Sequence, residues 1–264
     1  MSLIGMSHAW SRVAREYHKR IAPDFAPAAR RLCQQLGVGP QHRVLDIACG
    51  PGTAAMAARR LGAREVVGVD YATDMVAVAH AEAGSDPALR YAAADALALP
   101  FPPEQFDVVI SSFGLIFAPD PAVAVREAAR VLRPTGRLGL LAWPPDGSIG
   151  EYQRVAFRHL DIPPAAHDPF QWGVPARAQG WLAPAFADVE VVPLEVPFEA
   201  ASPQAAWEAL STATGRVAAA YAELNGEGRA RLDAEMMLFF EPFQRSDGRV
   251  FWPRQAVMVM ARRT

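Results

Sequence analysis

The stretch VLDIACGPGTAA, residues 44–55, decides how the rest of the chain is read. It opens as a short apolar strand, passes through Ala48 and Cys49 into Gly50-Pro51-Gly52, and continues into a run of small helix-forming residues. Two glycines at a strand-to-helix turn let a ligand approach the main chain with no Cβ in the way. A plain tight turn asks for the same residues, so the meaning of the stretch comes from its surroundings.

Working outward, the chain alternates. Residues 43–47 read as a strand and 52–61 as a helix ending at Gly62. Strands follow at 65–69, 89–93, 106–111 and 137–142. A helix carrying Met75, Val76 and Val78, with Thr73 as its cap, lies between the second and third strands, and a helix over 121–132 stops at Pro134. Alternating strands and helices, with continuously apolar strands, predict a parallel sheet covered on both faces. In such a sheet the glycine turn stands at the carboxyl edge, where ligands bind.

Before this core, 8–21 reads as a helix with Trp10, Val13, Ala14, Tyr17 and Ile21 on one face, and 27–36 as a second helix stopped by Gly37. The leader MSLIGM is given no structural role. After Trp143, prolines and aromatics cluster over 144–184. Residues 188–196 alternate like a strand, 202–243 are mainly helical with a break near 225–228, and 255–261 form a last strand. With no internal repeat or linker, the expectation is one domain over 1–264. It comprises a helical cap (1–42), a ligand-binding core (43–143), substrate-side segments with an insertion (144–254) and the closing strand (255–264).

The chain has 264 residues, 51% of them hydrophobic, enough to bury a sizeable core, and a net charge of −2. There is no basic run to favour nucleic acid or a membrane surface. Two cysteines are too few for a disulfide framework or a structural zinc site, so a metal-free protein of the reducing cytoplasm is expected. No apolar run is long enough to span a bilayer.

GPGTAA also satisfies the loose dinucleotide pattern G-x-G-x-x-A, so a nicotinamide-dependent oxidoreductase competes for the same turn. Against it stand Asp46, an acid ahead of the glycines, the different run Cys49-Gly50-Pro51-Gly52, and a second acid, Asp95, in ADALALPF. Five segments in order, VLDIACGPG, VVGVD, AAADALALPF, FDVVISSFG and EAARVLRPTGRLGLLAW, are similar to those of class I S-adenosylmethionine-dependent methyltransferases. The resemblance is closest to the small-molecule branch that includes the ubiquinone and menaquinone C-methyltransferases. It is strong over 43–143 and weaker at the first helix and at DGRVFWPRQAVMVMARR. The chain departs from it at PTG, where PGG is usual, and after FGL, which leaves a quinone acceptor open.

That resemblance implies a doubly wound, Rossmann-like α/β fold of seven strands with the last antiparallel, and S-adenosylmethionine as cofactor. Asp70, closing the second strand, would accept from both ribose hydroxyls. Tyr71 and Met75 would pack on the adenine. Asp95 and the amide of Ala96 would meet its edge. Ala48, Gly50 and Gly52 would form the close backbone wall, and Ser112, with Ser111 as the one-residue alternative, would stand near the methionine part. Asp46 would fix the turn and approach the ammonium, and Tyr17 would come over the site near the carboxylate.

A sulfonium methyl is electrophilic before any protein group acts, so no catalytic residue is forced. Candidate bases are His18 first, then His159, His167, Glu151 and Tyr152. The aromatic set Phe170, Trp172, Trp181, Trp207, Phe239, Phe240 and Trp252 either glues the insertion to the sheet or lines an acceptor pocket. SSFG in place of an Asn-Pro-Pro-Tyr tetrad argues against base amino groups as acceptors. The expected partner is a small apolar or aromatic molecule methylated at oxygen or carbon. The remaining alternative is a cofactor-binding protein without turnover.

Overall fold

The computed structural model describes residues 3–162 and 165–264. Seven strands form one sheet: β1 (Arg43–Ile47), β2 (Glu65–Asp70), β3 (Leu89–Ala93), β4 (Phe106–Ser112), β5 (Leu132–Ala142), β6 (Phe186–Ala200) and β7 (Val250–Arg263). Their order across the sheet is β3-β2-β1-β4-β5-β7-β6. The first five are parallel, and β7 is antiparallel to both β5 and β6. From β1 the chain builds β2 and β3 on one side, then returns to build β4 and β5 on the other. The crevice where β1 and β4 part is the place an open α/β sheet offers a ligand.

The central strands are apolar throughout because both their faces are covered; Val44, Leu45, Ile47, Val108, Val109 and Ile110 are all fully buried. The edge strand β6 instead alternates, with Glu190, Glu195 and Glu199 outward and Pro193 and Pro197 in its length, devices that blunt an exposed edge.

Ten α-helices of the described residues surround the sheet. α1 (Leu3–Arg20) and α2 (Ala22–Gln35) precede it. α1 starts five residues before the predicted helix and takes in part of the leader, of which Met1 and Ser2 lie outside the described residues. Gly37, at φ +61°, ends α2 with its amide on the Gln34 carbonyl, as a helix-terminating glycine does. α3 (Thr53–Arg60), α4 (Thr73–Ala83) and α5 (Pro121–Val131) connect the parallel strands. Thr73 does not cap α4. Ala72 holds that position, and Asp70 Oδ1 accepts its amide at 2.8 Å.

β2 and β4 run one residue past their predicted ends, and three strands are longer by several residues. β5 begins at Leu132 because Pro134-Thr135-Gly136 is absorbed as a bulge, the register jumping from Phe106–Leu132 to Val108–Arg137. β6 and β7 pair as one long antiparallel ribbon, from Phe186–Arg263 to Ala200–Val250. The segment over 144–184 holds α6 (Ser148–Phe157) and α7 (Pro175–Leu182); Pro163 and Pro164 within it lie outside the described residues. Between β6 and β7 stand α8 (Pro203–Ala213), α9 (Gly215–Glu223) and α10 (Gly226–Phe240), so the predicted helical insertion breaks twice. At the second break the Asn225 side chain accepts from the Gly228 amide at 2.8 Å.

Candidate functional site

A cavity opens at the carboxyl ends of β1, β2, β4 and β5. One wall is the loop after β1, from Ala48 to Pro51, with Asp70, Tyr71 and Met75 beside it. Aromatic rings line the cavity as well: Trp10 and Tyr17 from α1, packed against Met75, with Phe25 from α2, Phe113 and Phe117 after β4, and Trp143 after β5. Phe113 stacks on Trp143 with ring centroids 4.0 Å apart, and Tyr17 lies edge-on to Trp10 at 5.5 Å. Tyr152, Leu210, Thr214 and Arg254 complete it from the later segments.

The backbone is strained at two points of the lining. Ala48 at φ +54° and Phe113 at φ +59° both occupy the left-handed region, which side chains other than glycine's disfavour by about 1–2 kcal/mol. Both stand on the cavity, and strain held in this way concentrates at functional sites.

The two glycines of the turn do different work. Gly50 has φ +53°, and a Cβ built there meets nothing within 4 Å, so its bare face belongs to the cavity. Gly52 has φ +87°, does not line the cavity, and a Cβ there would collide with the Tyr91 ring, 2.8 Å from its Cζ. The missing side chain of Gly52 makes room for Tyr91 of β3.

Asp70 is 7% exposed and lines the cavity. Its Oδ2 accepts from the Gly50 amide at 2.9 Å and its Oδ1 from Ala72 at 2.8 Å. Burial raises its pKa, and the backbone hydrogen bonds oppose that. Each oxygen keeps a lone pair for a further donor. Asp46 lies deeper, fully buried and away from the cavity; its Oδ2 accepts from Ala55 at 2.8 Å and its Oδ1 has no partner. The Ala55 bond ties the end of β1 to the first turn of α3.

Tyr17, Ala48, Gly50, Asp70, Tyr71, Met75 and Ser112 are thus brought together, while Asp46, Gly52, Asp95 and Ala96 are not on the cavity wall. Asp95 is half-buried and caps its own loop, its Oδ1 accepting from Leu97 at 2.9 Å. Of the two serines, Ser112 faces the cavity with a buried, unpartnered Oγ. Ser111 is spent on structure, donating to the Ile47 carbonyl at 2.7 Å and accepting from Leu115.

Among the candidate bases only Tyr152 reaches the cavity. His18 points the other way along α1 and pairs with Glu82 at 3.1 Å, and His159 pairs with Glu235 at 3.0 Å. His167 packs against Trp181, and Glu151 is exposed. None of the seven late aromatics lines the cavity. Trp252 meets Phe239 at 5.4 Å and Phe240 at 5.6 Å, Trp172 meets Trp181 at 4.7 Å, and Trp207 packs on Tyr152 and Tyr221. The aromatic lining comes instead from elements far apart in sequence, a contact no local pattern announces.

Arg254 escapes a reading that starts the last strand at Gln255. It is 1% exposed, on the same face of β7 as Val250, Trp252 and Ala256. The signal was the alternation of VFWPRQA, which sets an arginine among apolar neighbours on the inward face.

Comparison with known proteins decides what such a cavity belongs to. Residues 45–140 match a family described as a methyltransferase domain. A demethylmenaquinone methyltransferase of Thermus thermophilus is 43% identical over 122 residues, 45% of this chain and 56% of the relative. A 2-phytyl-1,4-naphtoquinone methyltransferase of Thermosynechococcus vestitus is 31% identical over 163 residues, 54% of this chain and 72% of the relative. The chain belongs to the class I S-adenosylmethionine-dependent methyltransferases. It spans 58% of the length of the first curated relatives it matches. Among solved structures, the YcgJ protein of Bacillus subtilis shares the fold with a TM-score of 0.59 at 21% identity, over 89% of this chain and 98% of that one.

The cofactor of this methyltransferase family is S-adenosylmethionine, and the nicotinamide reading of GPGTAA falls with the assignment. Three observations of the cavity fit the group. Asp70 offers spare carboxylate lone pairs, Gly50 offers a bare backbone face, and the Ser112 Oγ and Tyr71 hydroxyl are buried without a protein partner.

Proposed function

We propose that this methyltransferase transfers a methyl group from S-adenosylmethionine to the oxygen or carbon of a small aromatic acceptor. The observation that carries the reading is one cavity that combines polar groups and a bare backbone face with many aromatic rings. Gly50, Asp70 and Ser112 suit a nucleoside amino acid, and Trp10, Phe25, Phe113 and Trp143 line the same cavity. Bound there, S-adenosylmethionine supplies a methyl group already activated by a sulfonium.

The residues of this chain then orient and exclude water. Asp70 takes the ribose hydroxyls, Gly50 lets the cofactor lie against the backbone, and Met75 and Tyr71 pack on the adenine, with Asp95 and Ala96 beyond the wall at its outer edge. Tyr17 and Ser112 face the methionine part. The rings of Trp10, Phe25, Phe113 and Trp143 hold a flat acceptor in a dry site, and ordering two reactants in this way supplies much of the rate enhancement. The names of the quinone methyltransferases among its relatives agree with a flat aromatic acceptor. No described helix is long and apolar enough to cross a membrane. Two buried free cysteines suit the cytoplasm.

The test is a screen with methyl-labelled S-adenosylmethionine against phenols, hydroxylated naphthoquinones and amines, beside calorimetry with S-adenosylhomocysteine. Label on phenols or quinols is expected. Label on amines alone would overturn the acceptor class, and S-adenosylhomocysteine binding without transfer to any acceptor would favour a binding protein without turnover.

A further inference from the structure

We propose that Arg254 is the acceptor-binding residue of this cavity, and that the acceptor it takes is a flat aromatic molecule carrying an anionic oxygen. The inference deepens the proposed methyl transfer and rests on it.

Arg254 is the sole Arg, Lys or His on the cavity wall among the described residues. Burying a guanidinium to 1% exposure is costly unless its protons are used. Its Nε donates to the Val196 carbonyl at 2.9 Å, and its Nη2 donates to Asp24 Oδ2 and the Pro197 carbonyl, both at 3.1 Å. No described residue accepts from Nη1. Rings cover the group, with Phe25 and Phe198 each 5.2 Å from the guanidinium carbon and Trp143 at 6.0 Å. Desolvation lowers the Arg254 pKa to about 10, so it stays cationic at neutral pH. A simple brace between α2 and β6 uses Nε and Nη2 only. A cation kept in an aromatic cavity with a free pair of protons is a receptor for an anionic oxygen, and a planar fork suits that task better than an ammonium.

The same feature accounts for the missing base. No histidine or glutamate lines the cavity among the described residues, and burial keeps Tyr152, the one candidate base that does, protonated. An acceptor that binds already ionised has left its proton in solvent. Its electron pair forms the bond to the methyl carbon as the carbon–sulfur bond breaks, and that pair stays on sulfur. No proton moves in the step.

The test uses the full chain saturated with S-adenosylhomocysteine, and calorimetry with two probes of like shape. They are 2,4-dinitrophenol, a phenolate at neutral pH, and the neutral 2,4-dinitroanisole. The wild type is expected to bind the phenolate about 10-fold tighter or better. Arg254→Met should erase that preference while S-adenosylhomocysteine affinity holds. Asp24→Asn keeps an acceptor for Nη2 but removes the counter-charge, so it should tighten phenolate binding roughly threefold and leave the anisole unchanged. Equal wild-type affinity for the two probes, binding of neither at millimolar concentration, or an Asp24→Asn effect common to both or absent would overturn the proposal. The wild-type and Asp24→Asn arms decide it even if Arg254→Met does not fold. Failure of S-adenosylhomocysteine itself to bind would instead sink the methyltransferase reading.

Discussion

Asp70 Oδ2 accepts the Gly50 amide at 2.9 Å, so the last residue of β2 holds the loop that leaves β1. The carboxylate that would take the cofactor's ribose is therefore also the clamp on its backbone wall. Asp70→Ala removes both functions. S-adenosylhomocysteine affinity should fall roughly 100-fold or more, about 3 kcal/mol, from the charge-assisted bonds lost. Calorimetry reads it, and an unchanged dissociation constant would mean the sugar lies elsewhere.

The two glycines of the turn should separate when each is changed to alanine. At Gly50 the added methyl enters open space and only the left-handed backbone objects, about 1–2 kcal/mol. The variant should fold and lose most of its S-adenosylhomocysteine binding. At Gly52 the methyl meets the Tyr91 ring as well, so a loss of about 2–4 kcal/mol in urea unfolding is expected with no ligand present. If Gly50→Ala binds normally, the cofactor does not use that face.

How much of this was written in the sequence depends on the range of the contact. The core over 43–142 was legible because strands buried on both faces must be continuously apolar, as VLDI and DVVI are. The turn at Gly50 and the strand end at Asp70 were legible because both are local features. The contact of Gly52 with Tyr91 was not legible because Tyr91 stands 39 residues on in the chain. The aromatic lining was hidden for the same reason: Trp10, Phe25, Phe113 and Trp143 meet only after four elements have packed. Arg254 was readable from period-two alternation once the strand is begun at Val250.

Tyr17 packs its ring against Trp10 and Phe25 and lines the cavity, while burial raises its hydroxyl pKa with Arg254 opposing. Tyr17→Phe keeps the rings in place and removes one neutral hydrogen-bonding group. Cofactor affinity should drop about 3–10-fold, near 1 kcal/mol, with the unfolding temperature of the free protein unchanged or slightly higher. Equal affinity and turnover in the two proteins would make Tyr17 a packing residue only.

Asp46 carries a pH dependence whose sign can be worked out. Desolvation, with the charge of Asp70 adding to it and the Ala55 hydrogen bond opposing, pushes its carboxyl up to about 8. In the unfolded chain the value is about 3.9. Between those limits the folded protein holds a proton that the unfolded chain has released. The contribution to stability is therefore full below about pH 4 and is lost as pH rises toward 8. Asparagine keeps an oxygen for the Ala55 amide and cannot ionise. It also places a donor where the protonated acid would, so the two proteins compare alike at low pH. Asp46→Asn should melt roughly 3–10 °C higher than wild type at pH 8, about 1–3 kcal/mol, and the gap should close near pH 4. Thermal melts of the cofactor-free protein across that range measure it. A gap of the same size at both ends would show that Asp46 is ionised throughout and that the buried proton belongs to another group.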